Sequence, residues 1–281
     1  MAVTAADVKK LREKTGAGMM DCKKALEEAD GDFAKAERIL KELGKAAAAK
    51  RSGRATSEGR IFVAESGSNA AIAELSCETD FVARNENFVA LGQQLAAEIA
   101  ERLPTEVDEA LQNKVSDAIS TIKENMSLRR FATLTRGSND LFASYIHGDS
   151  GRMGAVVQLK VGDPAALESQ QVKDFAFDTA LHAVAFKPAY LSVDNVDPAY
   201  RQEQEEIFTT QAKNMGKPEK VMQGIVAGRL RKHFAEICFL EQGFVKDEKI
   251  SVQKAMDAVA KEAGTRLEIV DYRVFVVGEE L

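Results

Sequence analysis

Cysteine is scarce in this 281-residue chain, and the three present, Cys22, Cys77 and Cys238, are odd in number and far apart. That excludes a disulfide-stapled framework and fits a reduced cytoplasm. The three histidines, His147, His182 and His233, are dispersed, and no cysteine pair has ligand spacing, so no metal site is expected. No apolar run approaches the roughly 20 residues that span a bilayer. The N-terminus lacks a basic start leading into an apolar stretch and a small-residue cleavage site, so no export signal is expected. A phosphate-cradling loop is missing as well. It needs Gly, four residues, then Gly-Lys-Ser/Thr, and neither Gly44-Lys45-Ala46 nor Gly216-Lys217-Pro218 qualifies. These gaps argue against direct nucleotide binding, metal catalysis and a membrane span, and no cofactor is implied.

What is present is a globular composition. Hydrophobic residues make up 45% of the chain, enough for a real core, and charged residues 29%. The net charge of −6 offers no overall attraction for phosphate backbones. The charge is uneven, because residues 1–54 carry about four more basic than acidic side chains. That asymmetry supports an alternative reading as a ribosome- or nascent-chain-associated module.

Residues 4–44 read as three short helices. Thr4 caps the first, with Val8 and Leu11 inward, and Thr15-Gly16-Ala17-Gly18 breaks the chain before a second helix from Met19 to Ala29. Asp32 caps a third, in which Phe33, Ala36, Ile39, Leu40 and Leu43 keep helical spacing until Gly44. Lys45–Gly59, Ala-rich and then basic, reads as a mobile linker, helical at most at its start.

The body carries a weak internal repeat at an offset of about 84 residues. The strand Ala71–Leu75 falls on Ala155–Leu159, and the helix from Phe88 to Ala100 on Val172 to Val184. Each half reads as hairpin, then helix, and ends in a β-rich segment, Phe131–Thr135 and Leu267–Val277. In the latter, Val270, Tyr272, Val274 and Val276 share one face. Asp197 and Pro198 open a helix whose narrow stripe of Tyr200, Ile207, Phe208, Ala212 and Met215 predicts, with Met222, Ile225, Val226, Leu230 and Phe234 beyond a turn at Gly216-Lys217-Pro218, an antiparallel coiled-coil hairpin. A last helix, Val252 to Ala263, is capped by Ser251 and closed by Gly264. The expected fold class is α+β: a three-helix module with its linker over 1–54, a core subdomain over 55–139, and a related one over 140–281 with the hairpin at about 196–235.

Enzyme chemistry finds little support. Gly148-Asp149-Ser150-Gly151 and Thr179-Ala180-Leu181-His182 mimic two segments of a chymotrypsin-like protease, but in reverse order and without a barrel. A polar turn and a core-facing histidine are the better reading, and the cysteines read as small buried hydrophobes. No catalytic residue is expected. Exposed candidates remain. Thr79-Asp80-Phe81-Val82 lies on a turn between a strand ending at Cys77 and a helix starting at Asn85, and Phe81 either projects or folds back onto the core. Met19 and Met20 pose the same choice, with one of the two expected inside the small module.

Thr15-Gly16-Ala17-Gly18-Met19-Met20-Asp21-Cys22-Lys23-Lys24-Ala25-Leu26 resembles the first signature of the elongation factor Ts family, and Thr79-Asp80-Phe81-Val82-Ala83 its second. Leu128-Arg129-Arg130-Phe131, His147-Gly148 with Gly154-Ala155-Val156-Val157, and Gly243-Phe244-Val245-Lys246-Asp247 are similar to three more, in the family's order. The resemblance covers essentially the whole chain. It departs at Gly243, where the family usually has proline, and at Lys123-Glu124, where glycine-glutamate is common. It implies a ubiquitin-associated-like N-terminal module and guanine-nucleotide exchange on elongation factor Tu, bound with GDP or nucleotide-free, in the cytoplasm during translation. It also implies that Asp80 and Phe81, within Thr79–Val82, disturb the partner's magnesium side, that Met19 and Met20 grip the same domain, and that His147 lies at the core contact. A homodimer or higher-order complex through the hairpin stays open.

Overall fold

The structure, a computed structural model, describes residues 3–215 and 218–280. The fold is α+β, and the chain forms two units that are each discontinuous in sequence. The first comprises Met1–Thr133, Gly148–Met153 and Phe275–Leu281, the second Leu134–His147 and Gly154–Val274.

The first unit begins with α1 (Ala5–Thr15), α2 (Met19–Glu28) and α3 (Phe33–Arg51). Thr4 and Asp7 form a reciprocal capping box: the Thr4 hydroxyl accepts from the Asp7 N–H at 3.2 Å, and the Asp7 carboxylate accepts from the Thr4 N–H at 3.0 Å. Asp32 caps α3 by accepting from the Lys35 N–H at 3.0 Å. Val8, Leu11, Cys22, Ala25, Leu26, Ala36 and Leu40 form a small core. A core this size does not hold a domain by itself, and α3 also packs on α6 (Glu109–Ile122).

That contact overturns the expectation that Gly44 ends the third helix. Gly44 is a buried interior position, where an added Cβ would lie 2.8 Å from Ser120 Cβ. Glycine costs about 1 kcal/mol inside a helix, and here it lets two helices approach. Lys45–Arg51, expected as linker, continues α3, and Ala48 is buried in the core of the sheet. The helix α6 has no counterpart among the elements expected from sequence.

The sheet of this unit runs β1-β2-β3, from β1 (Glu58–Ser66), β2 (Asn69–Cys77) and β3 (Met126–Thr135). β1 and β2 form an antiparallel hairpin with Ser66 opposite Asn69. After β2 come the one-turn helix α4 (Asp80–Ala83) and α5 (Glu86–Arg102), which lies on β1 and β2. Phe62, Leu75, Phe88, Leu95 and Ile99 fill the core, with Leu111, Val115 and Ile119 from α6. At Gly92 an added Cβ would sit 2.2 Å from the Phe62 ring, so only glycine lets α5 close on the hairpin.

In the second unit the sheet order is β4-β5-β8, with β4 (Asp140–Ile146) antiparallel to β5 (Met153–Val161) and β8 (Leu267–Val276) on the other side of β5. A 3-10 turn (Pro164–Glu168) leads into α7 (Gln170–Phe186), which packs against β4. A short pair, β6 (Gly243–Phe244) and β7 (Asp247–Ser251), precedes α10 (Val252–Glu262), capped by Ser251 and packed on α7. Along β8 the buried residues are Leu267, Ile269 and Phe275, the opposite parity from the Val270 set, and Val270 is exposed. Alternation placed the four together, but which face turns inward depends on what the strand pairs with.

Helices α8 (Pro198–Lys213) and α9 (Glu219–Ile237) pack on one another as a pair. Asp197 caps α8 by accepting from the N–H groups of Ala199 and Tyr200 at 2.8 and 3.0 Å. Ala212, Val226 and Phe234 are buried, whereas Ile207 and Met215, expected in the apolar stripe, are exposed. A two-helix contact covers only one narrow seam per helix. The base is held by Val196, Phe234 and Cys238 with Tyr190, Tyr200 and Leu230. Of the expected turn at Gly216-Lys217-Pro218, the first two residues lie outside the described residues, as do Met1 and Ala2 at the N-terminus. Among the described residues, no helix is long and apolar enough to cross a membrane.

Candidate partner-binding site

The strand β2 ends at Cys77, and the chain turns at once into α4. Thr79 is the cap: its hydroxyl accepts from the Val82 N–H at 3.3 Å. Its own N–H and O–H donate to the two oxygens of the Glu124 carboxylate at 3.0 and 2.7 Å. Beside it, the Glu78 carboxylate accepts from the Asn125 N–H at 2.6 Å and from Arg54 at 3.3 Å. These bonds, the Asn125 N–H first, hold the Glu78 carboxyl below its ordinary range. Val82 packs against the core and Ala83 is buried in it. Phe81 points the other way and is 82% exposed, which decides between its two sequence readings. Asp80 is also exposed, with only an i,i+4 pair to Arg84 at 3.6 Å, a contact of little energetic weight at the surface.

Met19 and Met20 open α2 and are 56% and 63% exposed. The expectation that one of them packs inside the module is therefore wrong. The three-helix core is filled from Cys22 onward, because the helix starts after Gly18 and its first turn has nothing across from it. Asp21 pairs with Lys123 at 3.4 Å, and Lys123 precedes Glu124. The methionine and phenylalanine segments thus both bond to the turn after α6. His147, at the exposed end of β4 in the second unit, has its Nδ1 3.1 Å from the Tyr145 hydroxyl, and Tyr145 stands edge-on to Phe177 at 5.7 Å and 89°. Sequence reasoning missed Glu124, Tyr145 and Phe177. Periodicity carries no signal for them, since each matters through a neighbour brought by the fold.

The remaining motifs have structural work. Arg129 and Arg130 meet the fully buried Glu74 at 3.1 and 2.6 Å, and the Gly278 N–H completes its shell at 2.9 Å. Ser150 lies on an exposed turn, while His182 is buried with both ring nitrogens engaged. Its Nδ1 accepts from the Val245 N–H at 3.2 Å, so Nε2 donates to Gln242 at 3.0 Å. Burial lowers its pKa to about 4, against the smaller opposing effect of Gln242. Burial, then the nearby Glu124 and Glu58 carboxylates, pushes the Cys77 thiol up to about 12, so it is no nucleophile. Among the described residues there is no group of three or more His, Cys, Asp or Glu that would hold a metal ion.

Phe81 thus projects from a turn braced by Glu124, with Val82 and Ala83 held against the core. The family model described as elongation factor TS matches residues 78–279. The chain is 45% identical over 278 residues to elongation factor Ts of Treponema denticola, spanning 99% of both chains. It is 43% identical to that of Borrelia hermsii, over 99% of this chain and 100% of the relative. The figure for Borreliella burgdorferi is 43%, over 97% and 98%. The chain belongs to the elongation factor Ts family. It is a translation elongation factor by that membership, and the near full-length matches take in the N-terminal module that precedes the family-model match.

Proposed function

We propose that this protein is the guanine-nucleotide exchange factor of elongation factor Tu. It binds the GDP complex, disturbs the magnesium side of the nucleotide site with Asp80 and Phe81, and lets GDP leave so that GTP can load. The observation that carries this reading is Phe81, 82% exposed on a helix of one turn whose Val82 and Ala83 are held against the core. Burying a phenylalanine in a partner is worth about 1.5–3 kcal/mol, and leaving it in water gives this chain nothing. Thr79 and Val82 support the turn, Met19 and Met20 grip the same domain of the partner, and His147 meets the partner from the second unit. On this reading residues 1–54 form a ubiquitin-associated-like module, 55–139 and 140–281 two related subdomains, and α8 with α9 a coiled-coil hairpin.

Exchange is then coupling between two ligands of one GTPase. A factor that binds the nucleotide-free state better than the GDP state weakens GDP by the factor by which GDP weakens it. Magnesium neutralises the nucleotide's phosphates, so displacing it weakens bound GDP with no contact to guanine. No bond is made or broken, and the factor itself needs no nucleotide site. The location that goes with this role is the cytoplasm. The test is release of a fluorescent GDP analogue from elongation factor Tu, chased with unlabelled GDP. Substoichiometric acceleration supports the reading, and none, with folded protein and competent GTPase, sinks it.

A further inference from the structure

The geometry points to Glu124 as the residue that positions Phe81 for exchange, an inference that rests on the function proposed above. A helix of four residues cannot hold its own conformation, because nucleation fixes several dihedrals for few hydrogen bonds. In α4 and its exit the local bonds are Ala83 N–H to Thr79 O and Arg84 N–H to Asp80 O, both 3.2 Å, and Asn85 N–H to Val82 O at 2.9 Å. Direction must come from outside. It comes from two carboxylates that reach across in opposite senses. Glu124 takes the N–H and O–H of Thr79 at 3.0 and 2.7 Å, and Glu78 takes the N–H of Asn125 at 2.6 Å. The Asn125 side chain adds a bond to Arg54 O at 2.7 Å.

Glu124 is itself held in place. Lys123 before it caps α6 with φ +72°, its N–H donating to Ile119 O at 3.0 Å, and Asn125 after it is buried. The Phe81 ring has no comparable anchor, being 82% exposed, so its aim follows the backbone of 79–82. Glu124 does not touch the partner in this account. It prepays the ordering of the turn, which would otherwise be charged against binding.

The experiment compares the full-length protein with Glu124→Gln, Phe81→Ala and the double variant, using release of a fluorescent GDP analogue from elongation factor Tu. The amide offers one acceptor oxygen where the carboxylate offered two, and it turns an N–H toward a donor. Glu124→Gln is expected to lower kcat/KM about tenfold. In the double variant the loss is expected to equal that of Phe81→Ala alone within about twofold, because a positioning residue has nothing left to position. Amide exchange at Thr79 and Val82 in the free Glu124→Gln protein should quicken, with protection in the β1–β2 hairpin unchanged as the folding control.

Wild-type exchange by Glu124→Gln, or losses that multiply in the double variant, would overturn the assignment. If the unmodified protein fails to accelerate GDP release, the functional reading has failed instead. Amide exchange then still decides the positioning claim, and unchanged protection at Thr79 and Val82 defeats it.

Discussion

The stretch from β2 to α5 in the first unit and the stretch from β5 to α7 in the second use the same plan with different surfaces. Asn69–Cys77 and Met153–Val161, and again Glu86–Arg102 and Gln170–Phe186, stand 84 residues apart. Between strand and helix each has a short helical turn, capped by Thr79 in one and Asp163 in the other. At the outward position the first has Phe81 and the second Ala165, both exposed. Seven residues on, Phe88 and Val172 are both fully buried. The frame therefore keeps this inward position apolar and leaves the outward one unconstrained, so the large side chain at 81 is not there for stability. The helices differ too. His182, stacked on Phe186 and Phe239 at 4.5 and 5.2 Å, is buried where α5 has Glu98 paired with Arg102 at 2.7 Å and with Lys114.

The comparison is tested most strongly at its inward positions. Phe88→Ala should cost about 3–5 kcal/mol of stability by denaturant unfolding, from lost burial and the cavity left behind. A second test uses acid. The native state takes up the His182 proton only near pH 4, while the unfolded chain takes it near 6.5. Stability is therefore lost as pH falls through that window, by about 3 kcal/mol at most. Glu98, its carboxyl lowered by Lys114 and then Arg102, contributes above its ordinary 4.5 and loses its contribution only as pH falls below that. Amide protection measured from pH 7 to 4 should accordingly weaken in α7 before α5, and the reverse order would contradict the contrast.

At the outward positions the effects divide. Phe81→Ala should slow exchange about tenfold or more, while shifting stability by less than about 0.5 kcal/mol, as thermal unfolding and GDP release would show. Ala165→Phe should leave both unchanged, since the second turn has no role in the proposed contact. A slower Ala165→Phe protein would show that the two turns are not distinct in function. A small gain in stability is expected at Lys123, where φ of +72° favours glycine. Lys123→Gly should stabilise by about 0.5 kcal/mol, the relief of strain exceeding the loss of an exposed ion pair to Asp21.

Much of this was legible beforehand for a local reason. Thr4, Asp32, Asp197 and Ser251 cap their helices because a side-chain oxygen reaches an N–H two or three residues away, an interaction written in adjacent letters. The helix α6 was legible in the same way, since Asp108 caps it and Leu111, Val115 and Ile119 repeat every fourth residue. Met19 and Met20 were misjudged because periodicity says which residues share a face, not whether anything lies across from it.

The sequence by itself determined the α+β class, the caps, the core-facing His182, and the family motifs on which the proposed contact stands. Tertiary structure alone decided that Phe81 faces outward, that Gly44 lies inside a helix against Ser120, and that Glu124 braces Thr79 across 45 residues of chain. The physical reason is range. Caps and periodicity are set within a few residues, whereas exposure, close approach and bracing depend on which distant segment folding brings alongside.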